Sequence, residues 1–251
     1  GEVVAKSAAD GYTLLMSSGG MVSVNPHIYA RMPFDPAKDL TPVAAAARVL
    51  VFLVAKPNFP ANNMAEAVKY IQANAKTINL ANAGLGAASH LCGLMFMSLI
   101  NTDLTTVPYK GTAPAMTDLM GGQTDLLCDQ TTATIPHIKG GKIKVFAVTS
   151  PQRIEAIKEV PTAAEAGLKG FELSIWHGLY APKGLPPDIA KKLNDSLRAA
   201  MKDENFRKRM IELGSVMFPE NQLTPEAHLS FLKSETDRWG KLIVKAGQFA
   251  D

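Results

Sequence analysis

Short apolar runs alternate with helical patterns along nearly the whole 251-residue chain, and this alternation predicts a parallel sheet covered by helices. "YTLLMS" follows the Asp10-Gly11 turn, and "VLVFLVAK" from Val49 to Lys56 is apolar and β-branched enough for a buried strand, stopped by the prolines beyond it. From Met64 to Ala75, Ala67, Val68 and Ile71 fall on one helical face, after which "TINLANAG" predicts a strand and a glycine-marked turn. "DLLCD" and "KVFAVTS" repeat the strand pattern on either side of "IPHIKGGKI", and "FELSIWHGLYAP" is a long aromatic and β-branched run ending at Pro182. Two longer helices close the chain. The first starts near Pro187 and carries Ile189, Leu193, Leu197 and Met201 at a spacing of four. The second, from about Pro225, sets Phe231, Leu232, Glu235, Trp239, Leu242, Ile243 and Ala246 along one side, with Glu235 the exception in an apolar face and the aromatic pair read as core. A two-domain α/β protein with its binding site at strand ends is the default for such a pattern.

Composition narrows the function. A hydrophobic content of 47% supports a substantial core. The formal charge of +3 is spread along the chain without basic blocks, which argues against nucleic-acid binding. Cys92 and Cys128 are too few for a disulfide scaffold, fit no metal-ligand spacing and read as buried small residues, leaving the redox compartment open. The five histidines never form HxH or HExxH, there is no G-x-S-x-G elbow, and Lys110 lies outside any GxxxxGK[ST] loop. No nucleophile, base and orienting group assemble, so the expected chemistry is capture rather than conversion, with no cofactor and no metal.

Two segments offer places for an anion. In "INLANAGLGAASHLCGLMF" a strand passes through Asn82, Gly84 and Gly86 into a helix that starts at Ala87, Ala88 and Ser89, where the lack of bulk exposes the amides. Unpaired N–H groups at a helix start, reinforced by the helix dipole, attract a carboxylate or phosphate. The same small residues would equally serve a tight turn. In "VPYKGTAPAMTDLMGGQTDLLCD" the arrangement recurs: after "VPY" come Lys110, Gly111, Thr112 and Ala113, with Thr112 expected to cap the helix and Pro114 in its first turn. Two such starts suit a small dicarboxylate. Asp129, at the end of the next strand, is expected to discriminate, accepting from an amine or hydroxyl of the ligand or repelling unsuitable anions. His177, beside Trp176, is placed near a cleft.

The pieces "VAKSAADGYTLLM", "NPHIY", "LTPVAAAA", "VPYKGTAPAMTDLMGGQTDLLCD", "VPTAAEAG", "FELSIWHGLYAPKGLPPDIAKKLN" and "LGSVMF" together resemble the Bug or TctC-like family, the extracytoplasmic solute-binding receptors of tripartite tricarboxylate transporters. The resemblance implies a periplasmic, monomeric receptor with a type II-like periplasmic binding protein fold. Its two α/β domains would be joined by two crossing strands and would close over a small carboxylate, held largely through amides, hydroxyls and water. Residues 1–51 with 179–251 would form one domain and 52–178 the other. Carried over by position, the contacts are Ser17, Ser18 and Gly19 in the first domain. In the second they are Asn82, Gly84, Gly86, Ala87 and Ala88, then Lys110, Gly111, Thr112 and Ala113, with Asp129 behind them; Trp176 and His177 complete the set. Asn82 and Ala87 stand where members commonly show serine. The resemblance also implies membrane partners from the transporter, and a strand, a glycine loop and most of a helix ahead of "GEVVAK". The alternative is a sensing or interaction protein of the same descent.

Overall fold

The computed structural model describes residues 1–246, and the expectation for the Leu242 and Ala246 side chains lies outside what it describes. The chain divides into two compact units. The first comprises Gly1–Arg48, Trp176–Arg209 and the chain from Val216 onward; the second comprises Val49–Ile175 and Met210–Ser215.

In chain order, the short helix α1 (Glu2–Ala5) and strand β1 (Leu15–Ser18) precede a π-helical turn over Gly20–Val24 and two further short helices, α2 (Asn25–Ile28) and α3 (Pro36–Asp39). Asp35 starts α3 by accepting from the Ala37 amide at 3.0 Å, with Pro36 in the first turn, where its missing N–H does no harm. Strand β2 (Leu40–Ala55) is 16 residues long and runs from the first unit into the second. It starts well before the strand predicted at Val49. Its first half, "LTPVAAAAR", has little β-branching, but Val43, Ala44 and Ala45 are essentially sealed from solvent, and burial overrides propensity there. Helix α4 (Met64–Ala73) starts at Asn63, whose Oδ1 accepts from the Glu66 amide at 2.9 Å while Glu66 Oε2 accepts from the Asn62 amide at 2.9 Å.

The second unit then alternates β3 (Asn79–Asn82), α5 (Ala88–Leu99), β4 (Thr105–Pro108), α6 (Thr112–Met120), β5 (Leu126–Gln130), α7 (Thr131–Lys139) and β6 (Lys144–Val148). Strand β3 is central to the parallel trio, pairing with β4 (Asn79 opposite Thr105) and with β5 (Leu80 opposite Leu126). The expected parallel sheet is in fact mixed, because β2 runs antiparallel to both β5 and β6. Helical crossovers make β3, β4 and β5 parallel. Alternate residues of the sheet serve two buried faces. Phe52, Val54, Ala81 and Leu127 join Met116, Leu119 and Ile135 in one core. On the other side Cys128 meets α5, where it is bonded to Cys92. Both cysteines are fully buried, as expected of small core residues, but they form a disulfide rather than two separate packing groups.

The chain continues through β7 (Ser174–Pro182), α8 (Pro187–Lys202), α9 (Glu204–Glu212), β8 (Ser215–Met217) and α10 (Pro225–Ala246). In the first unit β1 lies antiparallel to β7, from Leu15 opposite Tyr180 to Ser18 opposite His177. The predicted face of α8 is used: Ile189 and Leu193 pack on Val43, Ala181 and Leu185, while Leu197 and Met201 pack with Tyr180, Phe218 and Leu232. Between them buried Asn194 donates to Val43 O at 2.9 Å and Leu223 O at 2.7 Å, tying α8 to two backbone segments.

Candidate functional site

In the second unit three parallel strands each hand over to a helix. After β3 the backbone turns through Gly84 (φ +119°) and Gly86 (φ +74°), with Ala87 as the N-cap of α5. A Cβ on Gly84 would sit 3.3 Å from the Tyr109 carbonyl oxygen, so both conformation and space favour glycine there. The loop is held by its own bonds. Asn82 Oδ1 accepts from the Gly84 amide at 3.0 Å, Ser89 Oγ accepts from the Ala83 amide at 2.8 Å, and the Ala87 amide donates to Gly84 O at 3.1 Å. The Gly86 amide lies 3.3 Å from His90 Nδ1, and burial lowers the pKa of that imidazole. No side chain caps α5, so its first-turn amides at Ala88 and Ser89 have no intrahelical or capping partner. Asn82, buried, supports the turn rather than projecting from it.

The second start is stitched to the first, since the Tyr109 amide donates to Asn82 O at 2.9 Å and the Gly111 amide to Ala83 O at 3.1 Å. Gly111 (φ +108°) is the N-cap of α6, in place of the expected Thr112. A residue with that φ must be glycine or strained, and this moves Thr112 one place into the helix. Its hydroxyl instead donates to Asp129 Oδ1 at 3.3 Å. Pro114 lies in the first turn, Ala113 is exposed, and no side chain caps the helix. Lys110 is exposed.

The third start was missed in the sequence. Strand β5 ends in Asp129 and Gln130, and α7 follows directly, with Gln130 as N-cap and no side-chain cap. Because β5, β3 and β4 are adjacent and parallel, the starts of α7, α5 and α6 are gathered along one edge of the sheet. Asp129 sits among them. Its Oδ1 accepts from the Gln130 amide at 2.7 Å and from Thr112, whereas Oδ2 is buried without a partner. Burial pushes its pKa up to about 6, against the opposing pull of those two hydrogen bonds. The signal for the third start was the repetition itself, a third strand ending in polar residues, obscured by the threonines and by Pro136 inside α7.

In the first unit Ser17 and Ser18 end β1 opposite Gly178 and His177. Ser17 is buried, with its hydroxyl 3.3 Å from Ser18 O. Gly19 lies against the Trp176 indole, so that an added Cβ would be 2.4 Å from Cε2. Its carbonyl accepts from Ser23 Oγ at 2.6 Å. Trp176 is packed in the core and donates from Nε1 to Glu235 Oε2 at 3.2 Å, which explains the lone acid on the inner side of α10. His177, its neighbour on the strand, points to the opposite face and has a pKa lowered by burial. Ser18, Gly19, Trp176 and His177 are thus brought together.

Among the described residues no group of three or more His, Cys, Asp or Glu side chains could hold a metal ion, and no helix is long and apolar enough to cross a membrane. Fixed amides at the ends of neighbouring parallel strands, with one buried carboxylate among them, suit an α/β protein that binds a small anion. The chain belongs to the tripartite tricarboxylate transporter family receptors, TctC, whose pattern it matches over residues 1–248. It is therefore a periplasmic solute-binding receptor and not an enzyme. The buried disulfide accords with an oxidising compartment. Among solved structures, the periplasmic binding protein BugD matches with a TM-score of 0.94 at 43% identity, over 100% of this chain and 83% of BugD. MatC from Rhodopseudomonas palustris, with bound malate, matches at 0.90 and 33% identity over 96% of this chain and 82% of its own. R. palustris Rpa4515, with adipate, matches at 0.92 and 32% identity over 98% and 81%.

Proposed function

We propose that this receptor captures a small dicarboxylate and delivers it to the membrane components of a tripartite tricarboxylate transporter. The observation that carries the reading is the row of uncapped helix starts at the ends of β5, β3 and β4. Carboxylates facing the amides of Ala88 and Ser89 and of Thr112 and Ala113 would meet fixed donors that need little reorganisation. The malate and adipate bound by two relatives, both dicarboxylates, support that choice of class. In the same proposal the first unit contributes Ser17, Ser18 and Gly19, with His177 nearby, and β2 and β7 serve as the crossing strands of a type II-like binding protein. Asp129 then selects among ligands, accepting from an amine or hydroxyl near the carboxylate.

A thermal-shift panel of mono- and dicarboxylates, inorganic phosphate and neutral sugars tests this. Four- to six-carbon dicarboxylates should raise the melting temperature most. Stabilisation by phosphate or sugars, with none from any carboxylate, would contradict the proposal.

A further inference from the structure

A cavity of about 330 Å³, open to solvent on one side where Gln222, Ser230 and Ser234 are exposed, lies wholly within the first unit, between β2, the chain after β8 and α10. Ser230, Phe231 and Ser234 project from one side of α10, and Phe218 and Gln222 face the same space. Arg48, at the first unit's end of its β2 segment, also lines it. The guanidinium carbon is 4.6 Å from the centre of the Phe218 ring and 5.5 Å from that of Phe231. Stacking on two aromatic rings fixes the plane of a guanidinium without engaging its N–H donors.

Two acids close to the cavity in sequence, Glu220 and Glu235, are committed elsewhere. Glu220, two residues before Gln222, pairs with Arg198 at 2.9 Å and Lys202 at 2.7 Å. Glu235, next to Ser234, accepts from Trp176 and pairs with Arg238 at 3.2 Å. Among the described residues no carboxylate pairs with Arg48, so a half-buried cation faces a cavity with its donor fork unclaimed. A planar oxyanion is the partner such a fork accepts best.

We propose that this cavity is a second binding site, for a compact monocarboxylate with an aromatic or apolar body. Arg48 receives the carboxylate, Gln222 and Ser230 add donors, and the body lies against Phe218 and Phe231. A short dicarboxylate has no apolar body to cover Phe218 and Phe231, so the site favours an aromatic monocarboxylate over the dicarboxylates assigned to the strand-end site. The two sites share no residue, and neither proposal depends on the other.

The test uses the whole chain labelled with ¹⁵N-arginine, following the Arg48 Nε–Hε signal by NMR, identified by its absence in Arg48→Met or, should that variant not fold, in Arg48→Lys. Sodium benzoate is the probe, with inorganic phosphate, succinate and chloride at matched ionic strength as controls. The proposal expects a saturable benzoate shift, at least tenfold weaker in Ser230→Leu, which fills the cavity, and at least tenfold weaker with phosphate or succinate. A signal that does not move, that moves alike with chloride, or that saturates equally with phosphate or in Ser230→Leu overturns it.

Discussion

Replacing Asp129 by Asn removes a charge from a place where the fold opposes it. Asp129 is 4% exposed, no charged neighbour contributes to its shift, and its pKa rises from 3.8 to about 6. That displacement corresponds to about 3 kcal/mol at neutral pH. Since the folded-state value lies above the unfolded one, the folded protein holds the proton more tightly. Asp129 therefore lowers stability progressively as pH rises from about 4 to about 6, and the full loss persists above that. The amide of Asp129→Asn can still accept from the Gln130 amide. Its Nδ2 inherits the partnerless position of Oδ2, at a penalty that does not vary with pH. The informative quantity is therefore how the difference between the two proteins changes with pH. Urea unfolding of both proteins without ligand, at steps from pH 4 to pH 7.5, should show the variant gaining about 3 kcal/mol relative to the parent across that range. A difference that stays constant with pH would refute the reasoning, and Asp129 would then be an ordinary solvated carboxylate.

Three further outcomes are expected. Replacing Cys92 and Cys128 together by Ala should reduce stability by about 4 kcal/mol, from the loop entropy of a 36-residue separation. A reducing agent should weaken the parent in urea and leave that variant unchanged; insensitivity of the parent would contradict the disulfide. Gly19→Ala forces a Cβ into the Trp176 ring, so it should lose about 1–3 kcal/mol and alter the Trp176 emission, whereas unchanged emission and stability would mean the indole yields freely. Calorimetry of an amino dicarboxylate and its deaminated analogue should show Asp129→Asn weakening the amino compound more; equal losses would leave Asp129 a structural role only.

The helical crossovers were legible because their punctuation is local. Gly84 and Gly86 before small residues, and Gly111 before Thr112 and Ala113, marked the starts of α5 and α6 from the sequence alone. The faces of α8 were legible for the same reason, a spacing of four along one element. What the sequence withheld depends on distant partners. The antiparallel sense of β2 leaves no mark in its own residues, and its alanine half becomes a strand only when covered. The disulfide joins a helix to a strand 36 residues away, with no local mark. The same holds within the site. Asp129 stood out as a polar strand end, but its lone buried Oδ2 arises from the packing of α6 and α7 around it, and the cap fell to Gly111 because of a backbone angle.

The central claim, that backbone amides at neighbouring helix starts receive the ligand carboxylates, is tested most directly by ¹H–¹⁵N NMR of the whole chain during titration with succinate. The account predicts that the amides of Ala88, Ser89, Thr112 and Ala113 show the largest downfield proton shifts and saturate together, as new hydrogen bonds to carboxylate oxygens require. Saturable succinate binding that leaves those four amides unmoved would contradict it.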